Sequence, residues 1–323
     1  MDEFGLIKKY LAPLAKAEGA FALTDDAAVF SCSEGKEIVV AKDTIVEGVH
    51  FLENTKSELI AKKLMRVNLS DMAAMGAVPK YYLLSLCLPK NTKEGWIRNF
   101  SNGLKSDQKE FGVTLLGGDT VSHDGKLILT ITMIGEVKSG KAIRRNGAKV
   151  GDDIYVSGTV GDAAFGLKCL ESRIENRESS KLNNKMVDKY LLPQPRISLG
   201  QGLSNIANSA IDISDGLLAD LEHICDCSGV GALINRCEIP ISEGVKQHID
   251  KQDKLWDLVL AGGDDYELVF TANKKNRLKI RKIADKTGIM VTRVGEITRK
   301  KGLVVLNDDG ESIKIKHTGY KHI

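Results

Sequence analysis

The chain has 323 residues, with 46 Lys and Arg against 43 Asp and Glu, a net charge of +3, and only 5% aromatic residues. So small a basic excess leaves no electrostatic footprint for nucleic acid, and so few aromatics do not build a base-stacking surface. No apolar run approaches the roughly 18 residues of a membrane span, and the acidic start Met1-Asp2-Glu3-Phe4 lacks a signal-peptide core, which predicts a soluble chain.

The length suits two domains. Six cysteines (Cys32, Cys87, Cys169, Cys225, Cys227 and Cys237) form no C-x-x-C pair, so free thiols in the cytoplasm are expected, with Cys87 in the core.

In chain order, Leu6, Ile7, Tyr10, Leu11 and Leu14 recur at helical spacing up to Pro13. Residues 27–32 and 37–43 read as two strands of a hairpin, with Asp43 at the end of the second. Residues 57–75 favour helix, with Asn68 and Asp71 on one side of it. The apolar run 81–88 reads as a buried strand, 92–111 as helix, and 113–116 as a strand ending in Gly117-Gly118-Asp119-Thr120. Another strand spans 126–137, and the polar stretch 144–148 predicts a boundary between domains 1–145 and 146–323. In the second domain, strands are expected at 153–157, 209–213, 230–234, 266–271, 290–297 and 303–306. Helices are expected at 163–171, 186–192, 197–208 and 274–287, and a surface loop at 172–184. Ser214 and Asp215 are expected to open and cap a helix to about residue 227.

Acids recur among small residues beside apolar runs: Asp25-Asp26, Asp43 with Glu47 and His50, Asn68 to Asp71, Gly117 to Thr120, and Asp212-Ile213-Ser214-Asp215-Gly216. Any one of these alone reads more readily as a turn or a cap. Together they concentrate negative charge that needs a cation, and an all-oxygen donor set suits Mg²⁺. Mg²⁺ binds few carboxylates plus substrate phosphates, which points to a nucleotide. The sequence has no G-x-x-x-x-G-K-[ST] loop and neither H-R-D nor D-F-G, so the phosphates would be held by cations and by N–H groups at Gly-rich turns. Neither a Ser–His–Asp order nor H-E-x-x-H occurs.

Five segments in order, D-T-I-V-E-G-V-H-F at 43–51, N-L-S-D-M-A-A-M-G-A at 68–77, G-G-D-T at 117–120, D-I-S-D-G-L at 212–217 and G-G-D-D-Y-E-L at 262–268, resemble the thiamine-monophosphate kinase family. That family lies in the superfamily of aminoimidazole ribonucleotide synthetase, selenophosphate synthetase and the hydrogenase-maturation dehydratase. The resemblance implies a two-domain α/β (α+β) fold and a homodimer, with N-terminal domains pairing through a β-barrel-like interface. It also implies ATP-dependent phosphorylation of thiamine monophosphate with several Mg²⁺ ions. Carried over by position, Asp26, Asp43, Asp71, Asp119, Asp212 and Asp215 match metal ligands, with Asp71 and Asp212 expected to be catalytic. Gly118, Asp119, Arg145 and Ser214 match nucleotide-binding positions, and His50, Asp264 and His317 match substrate-binding positions.

The chain departs from the family pattern at Thr24, Ala41, Lys42, Asp264 (usually Glu) and His317 (usually Trp). Selenophosphate synthetase would need a reactive Cys or selenocysteine in a Gly-rich N-terminal segment, and the maturation protein a C-terminal Cys; neither is present. The remaining alternatives are a non-catalytic nucleotide- or metal-binding protein and another ATP-using member of the superfamily.

Overall fold

The computed structural model describes residues 3–24, 27–174, 181–313 and 319–320. The chain divides into two units, Met1–Met72 with Ala77–Gly140, and Ala73–Gly76 with Lys141–Ile323. The division falls after Gly140, ahead of the expected boundary at 145.

In the first unit, α1 (Glu3–Leu6) opens a helical stretch that continues as π and 3₁₀ turns to Leu14. Four strands, β1 (Lys36–Val46), β2 (Val78–Pro89), β3 (Thr114–His123) and β4 (Ile128–Lys138), form one sheet in the order β1-β4-β2-β3. The helix α2 (Ser57–Ala74) precedes β2, and α3 (Glu94–Phe111) provides the crossover that the parallel β2–β3 pair requires. Gly112 ends α3 in the left-handed region (φ 69°), where its N–H reaches the Gln108 carbonyl. The two helices share a buried ion pair, with Arg66 Nε 2.7 Å from Asp107 Oδ2. On β2, Tyr82, Leu84, Leu86 and Leu88 are buried in alternation with Leu83, Ser85 and Cys87. Cys87 is therefore only half-buried rather than in the core.

Three expectations change in this unit. Residues 27–33 form no strand and hence no hairpin, because the Val29 N–H donates to the Gly19 carbonyl (2.9 Å) and β1 pairs with β4. The β1 strand runs on to Val46, which puts Asp43 inside it rather than at its end. Likewise β3 continues through Gly117 to Thr120, after a bulge opposite Tyr82 and Leu83.

The second unit is a seven-stranded mixed sheet in the order β11-β10-β7-β9-β5-β8-β6. Its strands are β5 (Asp153–Ser157), β6 (Ser209–Asp212), β7 (Gly231–Asn235), β8 (Leu268–Ala272), β9 (Val291–Thr298), β10 (Gly302–Leu306) and β11 (Ser312–Ile313). Its helices are α4 (Asp162–Ile174), α5 (Lys181–Leu191), α6 (Ile197–Leu203), α7 (Leu217–Ser228), α8 (Glu243–Ile249), α9 (Trp256–Ala261) and α10 (Arg277–Thr287). Strand alternation sorts two cores onto the two faces. Ile154, Val156, Ile211 and Val269 join α7 on one face, while Tyr155, Ala210, Leu268 and Phe270 join α6 and α10 on the other. Leu217, Leu218, Leu221 and Ile224 of α7 are fully buried, each contributing about 2 kcal/mol. The expected loop at 172–184 is helical at both ends, in α4 and α5; residues 175–180 lie outside the described residues.

Register fixes which loops are neighbours. Asp212 pairs with Leu268 and Val156 with Val269, so the C-terminal ends of β5 and β6 flank the N-terminal end of β8. The turns after β5, after β6 and before β8 therefore open at one edge of the sheet.

Candidate active site

In the first unit, Asn68 of α2 ties helix to strand. Its Oδ1 accepts the Asp43 N–H at 3.0 Å, and its Nδ2 donates to the Leu64 carbonyl. Asp71 lies one helical turn further along the same side. The cross-strand row Asp43, Ile131, Leu84 and Gly118 alternates with the row Thr44, Thr130, Ser85 and Asp119. Asp43 and Asp119 thus belong to opposite pleat faces, and the sheet does not bring them together. Asp119 is exposed, and its Oδ1 accepts the Thr120 N–H at 2.9 Å. His50 turns back on its own strand, where its Nδ1 accepts the Val46 N–H at 3.1 Å.

A cleft of about 600 Å³ opens in this unit between Gly117, Gly118 and Asp119 on one side and apolar residues including Leu11, Leu23 and Phe30 on the other. Its size is that of a small-ligand site. Gly118 leaves no room for a side chain, because a Cβ there would lie 1.8 Å from the Leu84 carbonyl oxygen.

In the second unit, Asp212 ends β6 and is buried, while Ser214 and Asp215 are half-buried in the turn that follows. The helix α7 starts only at Leu217, with Gly216 (φ 125°) as its N-cap, so neither Ser214 nor Asp215 caps it as expected. The cap comes from inside the helix. Asp220 Oδ2 accepts the N–H groups of Ser214, Asp215 and Gly216 at 3.0, 3.1 and 3.2 Å. Burial, followed by the charges of Asp212 and Asp215, pushes the Asp220 carboxyl up to about 8.

The turn before β8 is left-handed at Gly263 (φ 66°), Asp264 (65°) and Tyr266 (51°). Asp264 is half-buried, and its N–H donates to the Ser214 carbonyl at 2.7 Å, which joins this turn to the one after β6. Asp265 accepts the Gly161 and Ala163 N–H groups at the start of α4, at 2.7 and 3.1 Å, and burial pushes its carboxyl up to about 8. The Tyr190 phenol is pushed up by burial and then by the charges of Asp264 and Glu171. Arg145 is exposed, and its carbonyl accepts a hydrogen bond from Ser228 Oγ. Asp26 and His317 lie outside the described residues.

The second unit thus brings together Asp212, Ser214, Asp215 and Asp264; the first brings Asp43 near Asp71 and leaves Asp119 on the other pleat face. Asp220, Asp265 and Glu267, three buried acids, were not singled out from the sequence. The available signal was an acid on the inward side of a helix, or inside a strand-flanking motif, where burial demands a donor.

Residues 24–137 match the family described as AIR synthase related protein, N-terminal domain, and residues 149–307 match the corresponding C-terminal domain. The chain is 38% identical over 324 aligned residues to the thiamine-monophosphate kinase of Escherichia coli (strain K12), covering 99% of this chain and 98% of that protein. The crystal structure of thiamine-monophosphate kinase from Stenotrophomonas maltophilia K279a superposes with a TM-score of 0.82 at 38% identity, over 90% of this chain and 91% of that one. The structure described as AaThiL complexed with AMPPCP and TMP gives a TM-score of 0.80 at 32% identity, over 99% of this chain and 97% of that one. The chain belongs to the thiamine-monophosphate kinase family, within the AIR synthase related fold.

Proposed function

We propose that this chain transfers the terminal phosphoryl group of ATP directly to thiamine monophosphate, forming thiamine diphosphate. The observation that carries the reading is the crowding of Asp212, Asp215 and Asp220 beside Ser214 at one sheet edge, in a chain whose relative was solved with AMPPCP and TMP. The acceptor is a phosphate monoester, largely ionised near neutral pH because its second pKa is about 6. It needs alignment and charge neutralisation rather than a general base, which suits a set of acids with no nucleophile–base pair among them.

The donor set fits Mg²⁺. Among the described residues no three His, Cys, Asp or Glu side chains form a ready-made metal cluster. Mg²⁺ does not require one, since it takes one or two carboxylates and completes its shell with phosphates and water. Asp26, Asp43, Asp71 and Asp119 of the first unit and Asp212 and Asp215 of the second would hold the ions. Bound there, Mg²⁺ neutralises charge between the two polyanions. Asp71 and Asp212 are assigned the central catalytic roles. Gly118, Asp119, Arg145 and Ser214 are assigned to ATP, and His50, Asp264 and His317 to thiamine monophosphate.

No disulfide joins any of the six cysteines, which suits a reducing compartment, and we assign the protein to the cytoplasm. We assign a homodimer from the exposed apolar side chains Ile38, Val40, Leu83 and Val121, which share one face of the first sheet.

The test is formation of thiamine diphosphate from thiamine monophosphate, ATP and Mg²⁺. Asp71→Asn or Asp212→Asn is expected to abolish turnover with an unchanged circular dichroism spectrum. Full activity in either purified variant would sink the metal-site assignment. ATP binding without product in the wild type would favour the non-catalytic alternative.

A further inference from the structure

We propose that Glu267, held by Ser157 and Arg196, is a positioning residue that sets Asp264 for thiamine monophosphate; this rests on the reading of Asp264 as a substrate contact. Three of the four residues 263–266 are left-handed, and two of these, Asp264 and Tyr266, are not glycine. Such residues persist only where their surroundings over-determine them. Asp265 anchors the middle of the turn on the start of α4, and Glu267 anchors its exit.

Glu267 is 1% exposed, and its carboxylate meets Ser157, Arg196 and Lys189. Ser157 Oγ donates to its Oε2 at 2.6 Å and itself accepts the Leu268 N–H at 2.9 Å. Arg196 reaches both carboxylate oxygens, through Nε at 2.6 Å and through Nη2, and Lys189 Nζ stands 3.5 Å from Oε1. The carboxylate presses on Gly158, where a Cβ would lie 2.1 Å from Oε1. The two-pronged arginine contact fixes the carboxylate in one orientation. The backbone carries that geometry onward. Ile213 N–H donates to the Glu267 carbonyl at 2.7 Å, and Tyr266 N–H donates to the Ile213 carbonyl at 2.8 Å. The turn with Ser214 and Asp215 has a further anchor of its own in Asp220, besides the Asp264 N–H that joins the two turns, so loss of the Glu267 fork should fall more heavily on Asp264 than on the nucleotide.

A second buried carboxylate in the same unit supplies the control. Asp153 is also fully buried and bridged by two arginines, Arg277 and Arg293, but it pairs with Ala272 at the far end of β8. The experiment compares Glu267→Gln, Arg196→Lys, Asp264→Asn and Asp153→Asn in the full chain, measuring KM for each substrate, kcat and Tm.

Glu267→Gln is expected to raise the KM for thiamine monophosphate roughly ten- to hundredfold, with a much smaller change in the KM for ATP. Arg196→Lys, which keeps the charge and loses the fork, should move the same constant less, and it carries the test if Glu267→Gln does not fold. Asp153→Asn should lower Tm and leave both KM values alone. An unchanged KM for thiamine monophosphate in Glu267→Gln, or a loss of Tm and of both substrates together, overturns the positioning role. If Asp264→Asn has no effect on that KM, the substrate assignment of Asp264 fails and takes the proposal with it. If Asp264→Asn raises it and Glu267→Gln does not, only the positioning role fails.

Discussion

At Gly118 a single hydrogen in place of a side chain lets β3 lie against β2, because a Cβ would sit 1.8 Å from the Leu84 carbonyl oxygen. Gly118→Ala must push the two strands apart, at about 1–3 kcal/mol, the usual range for overpacking. It should lower Tm and, because Gly118 lines the first unit's cleft, raise the KM for ATP. A folded variant with a wild-type KM for ATP would remove Gly118 from the nucleotide site. The Gly-Gly-Asp-Thr run was visible in the sequence as a special stretch, but its glycines read as a turn. Only the ladder partner of each residue shows that close strand approach is their task. Similarly, Asn68 was legible as a polar residue beside Asp71, while its bond to the Asp43 N–H joins positions far apart in sequence.

Elements in the second unit are locked by charge at one end of β5. Asp153, at the start of that strand, accepts Arg277 Nε from α10 at 2.6 Å and Arg293 Nε from β9 at 2.8 Å, with Tyr155 Oη at 3.2 Å. Burial alone would raise its carboxyl, but the hydrogen bonds from Arg277 and Arg293 outweigh it and hold the group at about 2, below its ordinary 3.8. A carboxyl depressed on folding contributes stability above its unfolded value, and this contribution is lost as pH falls through the folded value. At about 1.4 kcal/mol per unit, the contribution is about 2 kcal/mol near neutral pH. Asp153→Asn should therefore unfold at lower urea than wild type at about pH 6, with the gap closing toward about pH 2. A gap independent of pH would contradict this account. The start of α7 belongs to this scale too. Ser214 and Asp215 carry the sequence mark of an N-cap, yet Asp220 caps the turn from within the helix. Local preference ranks such residues without deciding between them.

For the whole molecule, one face of the first sheet leaves large apolar side chains exposed among polar ones: Val40 is 60% exposed and Ile38 46%. Val40→Lys should shift the proposed homodimer toward monomer in light scattering, and an unchanged mass would count against this face as the interface. Much of this scale was decided by the sequence alone. Five spaced motifs carried the family and the reaction, because residue types and their order along the chain are written in the sequence itself. Periodicity placed α2, α3, β2 and β5, whose apolar spacing is a local property. Tertiary structure alone decided that residues 27–33 form no strand against β1, that Asp43 and Asp119 take opposite pleat faces, and that Glu267 meets Ser157 and Arg196. Each of these depends on which strands become neighbours and in what register, and a one-residue shift in register would reverse every face.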